Sequence, residues 1–121
     1  MPSASPSTLH EPEKVARARR RALDPTAESR LARLEQVFCE QSRLRIVQAL
    51  REGALSVGDL AAVIERTVPG TSQHLRVLRK LGVVEGERRG SLVYYRLSAG
   101  PVTAQVQSLI DVAVRAPASP G

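Results

Sequence analysis

Five stretches of the chain place apolar residues three and four apart, the spacing that lines one face of an α-helix. Leu31, Leu34, Val37 and Phe38 mark the first. Asp24-Pro25 precedes them, an aspartate cap with proline at the first helical position, and predicts a helix from Pro25 to Cys39. Ser42 opens the second, in which Leu44, Ile46, Val47 and Leu50 point inward until Arg51, just ahead of Gly53. Val57, Leu60, Ala61 and Ile64 form a short third stripe, opened by Ser56 with Asp59 three residues later, a capping-box arrangement. Thr67 caps the fourth, with Pro69 in its first turn; Leu75, Leu78 and Leu81, with Val77 beside them, supply its apolar face, and Gly82 closes it. Gly70 weakens the start of that helix by roughly 1 kcal/mol relative to alanine. After the break Ser98-Ala99-Gly100-Pro101, a last helix carries Val102, Val106, Leu109, Ile110 and Val114 with few charges.

Between the fourth and fifth helices the period changes. Residues 83–88 and 92–97 are β-rich runs on either side of Arg89-Gly90-Ser91, which predicts a hairpin with a basic, glycine-containing tip. Tyr94 and Tyr95 fall on its opposite faces, one toward the core and one beneath the hairpin.

Ahead of the first helix, residues 1–24 carry Pro2, Pro6 and Pro12, several serines, and then Lys14, Arg17, Arg19, Arg20 and Arg21, with almost no apolar periodicity. They read as a mobile basic, proline-rich tail: either a solvated segment or an arm that touches phosphates or a partner. Residues 25–115 form the folded domain, and 116–121 a disordered end. A chain of 121 residues supports one compact core. With 42% apolar residues and only 2% aromatics, that core is built from Leu, Val, Ile and Ala, which favours helices.

The net charge of +6 favours a polyanionic partner, nucleic acid first and an anionic membrane surface second. No apolar run approaches the roughly 18–20 residues of a membrane span, and the amino terminus lacks a charged-then-apolar signal organisation, so a cytoplasmic protein is expected. The single cysteine, Cys39, excludes an intrachain disulfide. Beside Phe38 on the apolar side, it is expected to be buried as a small hydrophobe.

The fourth helix and the hairpin are the places to meet a polyanion. Thr71, Ser72, Gln73 and His74 occupy its first two turns, where a major-groove reader presents side chains to base edges. Gln73 suits a bidentate contact with adenine, worth about 1–3 kcal/mol of discrimination. Arg76, Arg79 and Lys80 suit phosphates, which fix register and affinity without reading sequence. Thr67 at the cap and Arg88, Arg89 and Ser91 at the hairpin tip complete the expected contact set. His74 is also open to a packing role or to donating to a phosphate. Arg43 and Arg45 are open to phosphates, a solvated face or a local ion pair with Glu40.

A helix-turn-helix followed at once by a basic two-stranded ribbon is the winged-helix order. Residues 43–46, 55–61, 72–78, 82–84 and 93–97 resemble, in order and spacing, the ArsR/SmtB family of bacterial winged-helix transcriptional repressors, over about residues 26–115. The resemblance implies a mainly α fold with a small two-stranded β-wing. It implies a homodimer joined through the first and last helices, with Leu31, Leu34, Val102, Val106, Leu109 and Ile110 at the interface and two reading helices about 34 Å apart. The alternative for the last helix is packing on its own core. One departure stands out: the family's turn usually carries a glycine where this chain has Glu65.

The resemblance also makes metal sensing testable residue by residue. The family's best-known site would put cysteines at the positions of Ser56 and Gly58; a second would use Ala99, Pro101, Val112 and Arg115. None of these is a metal ligand. No cofactor is expected, and the arrangement left open is a weak divalent site of nickel type, from tail His10 and Glu11 with Asp111 across the dimer. Catalysis is not expected either: there is no nucleophile and base pairing of recognisable spacing, no glycine-rich phosphate loop and no paired carboxylates in a plausible pocket. The partners implied are double-stranded DNA and a second copy of the chain. The rival reading keeps the fold but makes the basic face a docking surface for an acidic protein co-regulator.

Overall fold

In the computed structural model, which describes residues 10–117, the chain forms six helices and three short strands in the order α1 (Pro12–Arg20), α2 (Pro25–Phe38), α3 (Gln41–Leu50), β1 (Leu55–Ser56), α4 (Val57–Ile64), α5 (Val68–Lys80), β2 (Val84–Arg89), β3 (Leu92–Leu97) and α6 (Pro101–Arg115). The first helix falls inside residues 1–24, which were expected as a mobile tail and carried no helical pattern. Pro12 begins it, Glu13 lies in its first turn and Arg17, Arg19 and Arg20 in its last, so its charges complement the helix dipole. It buries none of its residues, which is why no apolar stripe announced it. Residues 1–9 and 118–121 lie outside the described residues.

Local signals set the start of each helix of the domain. Asp24 accepts a hydrogen bond from the Ala27 N–H at 2.8 Å to begin α2. Ser42 does not cap α3 as expected; Glu40 stands at the cap without a side-chain bond, and Ser42 is buried in the first turn. Arg43 makes no pair with Glu40. Its guanidinium donates to the Gln36 carbonyl at 2.6 Å, one of the carbonyls that the end of α2 leaves without an intrahelical partner. Cys39, expected to be buried, is exposed one residue beyond α2, because the buried side of that helix ends at Val37 and Phe38.

The helix-turn-helix is α4 and α5. Ser56 accepts from the Asp59 N–H at 3.3 Å, and Thr67 from the Gly70 N–H at 3.1 Å. Gly70 is more than a weak helix former here: a Cβ at this position would stand 3.0 Å from Thr67 Oγ1, the atom that accepts its own N–H. Both helices end in the same motif. Gly82 (φ +78°) donates to the Arg79 carbonyl and Val83 to that of Leu78; Glu65 (φ +57°) donates to Ala62 and Arg66 to Ala61. Glu65 is the one described residue other than glycine with positive φ.

The hairpin turns at Gly90 (φ +63°) and pairs Val84 with Leu97 through to Arg89 with Leu92. It carries a third strand that the sequence did not announce. The two residues of β1 pair antiparallel with β3, Leu55 opposite Tyr95 and Ser56 opposite Tyr94, giving the order β1-β3-β2. Alternation puts Tyr95 and Leu97 on the side that packs against the core and leaves Tyr94 on the outer face.

The core joins α2 through α6 to the sheet base, with Val37, Ile46, Leu60, Leu75, Leu78 and Val106 fully or almost fully buried. It also takes Val102 and Val106, which corrects their expected place at a subunit interface: they are 4% and 0% exposed within one chain. Leu34 and Ile110 are half-buried against the same core. The outer side of α6 keeps the rest of its apolar surface in solvent, with Leu109 and Val112 46% and 58% exposed.

Two substitutions test the helix-turn-helix ends. Thr67→Ala removes the cap of α5 and lowers unfolding stability by about 1 kcal/mol in denaturant titration. Glu65→Gly relieves a left-handed conformation costing about 1–2 kcal/mol against an entropic cost of about 0.5–1 kcal/mol, so its net effect is a rise in stability of about 0.5–1 kcal/mol. A fall in stability on Glu65→Gly would show that the turn is held by its side chain instead of tolerated despite it.

Candidate nucleic-acid interface

The geometry of α5 follows from the row it buries. Thr71, Leu75 and Leu78 lie in the core, so the opposite side of the helix is in solvent, and on it Gln73, Arg76 and Lys80 form one exposed row three and four residues apart. Arg79 is exposed beside them and Ser72 is half-buried at the edge of that row. The expected reader Thr71 is corrected by its burial: it is 0% exposed, and its hydroxyl donates to the Thr67 carbonyl at 2.8 Å. Thr67 is exposed, but its hydroxyl oxygen is occupied by the cap. His74 lies at the other edge of the helix, half-buried, with Nδ1 shielded from solvent and unpartnered among the described residues.

The wing divides its charges between two faces. On the outer face Arg96 pairs with Glu85 at 2.9 Å and with Glu87 at 3.2 Å, and Arg89 approaches Glu87 at 3.5 Å while its guanidinium carbon lies 4.7 Å from the centre of the Tyr94 ring. Arg88 is on the opposite face, exposed and outside the ion pairs of the described residues, and Ser91 is exposed at the tip. Arg88 is therefore a freer cation than Arg89, a distinction the adjacent residues did not reveal in sequence. Between α5 and the wing base lies a notch of about 350 Å³ lined by Ser72, Leu75, Arg76, Arg79 and Tyr95. Tyr95 was not among the expected contacts; strand parity assigned it to one of two faces, and only the tertiary placement of β3 brings it beside the arginines.

The residues expected for a subunit interface split similarly. Leu31 and Leu109 are exposed, and Leu109, Ile110 and Val114 of α6 face Phe38 and Leu44 across an apolar groove of about 520 Å³. Asp111 lies on the same helix but is engaged. Its carboxylate receives both Nη groups of Arg51, at 2.8 and 3.1 Å, which tie α6 to the end of α3. Those hydrogen bonds hold the Asp111 carboxyl below its usual range and the Arg51 guanidinium above its own.

Two of the three donors of the weak metal site left open by the sequence are paired within one chain. Glu11 pairs with Lys14 at 3.4 Å and Asp111 with Arg51, and among the described residues no three His, Cys, Asp or Glu side chains gather as a metal site would need. No helix of the described residues is long and apolar enough to cross a membrane.

The family model described as bacterial regulatory protein, arsR family, matches residues 40–86, from the cap of α3 through the helix-turn-helix into β2. The cadmium resistance transcriptional regulatory protein CadC of Listeria innocua is 40% identical over 88 residues, 72% of this chain and 72% of that protein. The arsenical resistance operon repressor of Escherichia coli is 36% identical over 83 residues, covering 68% and 70% of the two chains. Among solved structures, a homodimeric winged helix-turn-helix DNA-binding domain from Mycobacterium bovis matches with a TM-score of 0.63 at 28% identity, over 77% of this chain and 87% of that one. A helix-turn-helix capped at both starts, a basic hairpin directly after it and relatives that match across most of their own length lead to one conclusion: the chain belongs to the arsR family of bacterial regulatory proteins.

Proposed function

We propose that this protein is a homodimeric transcriptional repressor that binds an imperfect inverted repeat in double-stranded DNA and blocks transcription by occupying it. The observation that carries this reading is the exposed row Gln73, Arg76 and Lys80 on a helix whose opposite row is locked in the core. An amide followed along one row by two cations has the composition of a base reader with phosphate anchors beyond it. Arg88 and Ser91 at the wing tip extend the contact to the adjacent backbone, and the excess of positive charge steers the approach.

The dimer is supported by the apolar surface that one chain leaves uncovered. Leu31 on α2 and Leu109, Val112 and Val114 on α6 are each between 46% and 74% exposed, and Leu109 and Val114 line a groove with Phe38 and Leu44. A twofold axis through α2 and α6 covers this surface and presents two copies of α5 about 34 Å apart, one turn of the duplex. The homodimeric domain from Mycobacterium bovis and the operon repressor of Escherichia coli support the assembly and the direction of control.

A footprint on the protein's own upstream region, with affinities measured over a series of salt concentrations, tests the reading. Binding is expected to favour one site over scrambled competitor and to weaken steeply with salt. Gln73→Ala lowers the ratio of specific to random binding by about 5–150-fold. Lys80→Ala weakens both kinds of binding alike and reduces the salt slope by about 1. Equal effects of the two substitutions on specific and random DNA would remove the division of roles. Leu109→Asp places a charge on the uncovered face of α6; sedimentation should then show a single chain, and operator affinity should collapse with it. A dimer that survives this change would place the interface elsewhere.

A further inference from the structure

We infer that the notch between α5 and β3 is a seat for one phosphodiester of the DNA backbone, gripped jointly by the guanidinium groups of Arg76 and Arg79 and the hydroxyls of Ser72 and Tyr95. The inference rests on the DNA-binding reading above and adds to it a defined ligand group and two residues, Ser72 and Tyr95, in the role of phosphate ligands. Ser72, Arg76 and Arg79 stand four and three residues apart, so one edge of α5 lines the notch, with buried Leu75 as its apolar wall. Tyr95 closes the other side from β3. Its ring lies over Gly86, its partner on β2, where an added Cβ would come within 3.3 Å of the ring. The bare backbone at Gly86 thus sets where the tyrosine can lie.

The chemistry of the lining selects the ligand. Two guanidinium groups and two hydroxyls offer donors, and no carboxylate lines the notch. The ion pairs among the described residues leave Arg76 and Arg79 unengaged, while the wing carboxylates Glu85 and Glu87 are held by Arg96. A cationic recess of about 350 Å³ has room for a tetrahedral phosphate with its ester oxygens. Because its ligands come from two elements, one bound phosphate fixes the angle between reading helix and wing on the duplex. A base edge, by contrast, has to be met by the outward row of α5.

The test pairs protein variants with DNA in which one backbone phosphate at a time is replaced by an uncharged methylphosphonate. For the parent protein, one position per half-site should cost about tenfold in affinity. Tyr95→Phe, which keeps the ring packed on the core, and Ser72→Ala should each weaken binding to specific and random DNA by several-fold up to about tenfold. Each variant should show a penalty for replacement of that one phosphate reduced by the part its hydroxyl contributed, and the full penalty at all others, a pattern that a general loss of stability does not produce; thermal melts check that both are folded. Parent-like binding by both variants, or additive losses at every position, overturns the seat while leaving the DNA reading intact. Displacement of DNA by millimolar inorganic phosphate at constant ionic strength overturns it in favour of a free phosphate ligand. Failure of the parent to bind any duplex even at low salt removes the DNA reading itself, and the seat with it.

Discussion

Everything that α5 presents to solvent is decided by what it buries. Two leucines and a threonine lock one side of the helix into a core shared with α3 and α4, each leucine contributing about 1.5–3 kcal/mol relative to an exposed position. That burial fixes the rotation of the helix about its axis. The outward row then follows without further choice, and a reading helix that cannot roll loses little freedom when its side chains meet a partner. The same burial removes Thr71 from the surface and spends its hydroxyl on the backbone of the cap, so that the first turn of the helix is braced from within.

The two helix ends that frame the reading helix show how one backbone requirement can be met unequally. Both α4 and α5 close through a residue with positive φ, followed by a residue that bonds back to the preceding turn. Gly82 meets this requirement without cost and leads Val83 directly into the core. Glu65 meets it under strain, at the turn that sets the angle between the two helices of the motif. The hydrogen bonds of the turn and the burial of Ile64 beside it hold the arrangement in place.

Helix α6 joins the motif to the rest of the molecule and serves two surfaces at once. Its first half gives Val102, Thr103 and Val106 to the core, and the Thr103 hydroxyl reaches the Val83 carbonyl where α5 gives way to the wing. Its second half turns Leu109, Val112 and Val114 outward while the Arg51 to Asp111 pair clamps it to α3. That pair is about one-third exposed on each side, so its worth lies more in fixing the direction of α6 than in net stability. A dimer formed on the outer face of α6 is thereby connected, through a single rigid helix, to the base of the reading unit.

Much of this architecture can be read from residue order alone, because it is local. Asp24, Ser56 and Thr67 cap the helices they precede, Gly82 and Gly90 mark the turns they make, and the three-and-four spacing of Leu75 and Leu78 gives α5 its buried side. The basic hairpin and the positive net charge point to the chemistry of the partner without reference to the fold. Periodicity, however, states only that a side chain faces one way, not what stands opposite. Contacts between elements far apart in the chain therefore had to decide that Val102 and Val106 belong to one subunit's core, that Asp111 is held by Arg51, sixty residues away, and that Tyr95 lies beside the arginines of α5. The same holds for β1, whose two residues leave no pattern of their own and become a strand only because β3 is there to pair with them.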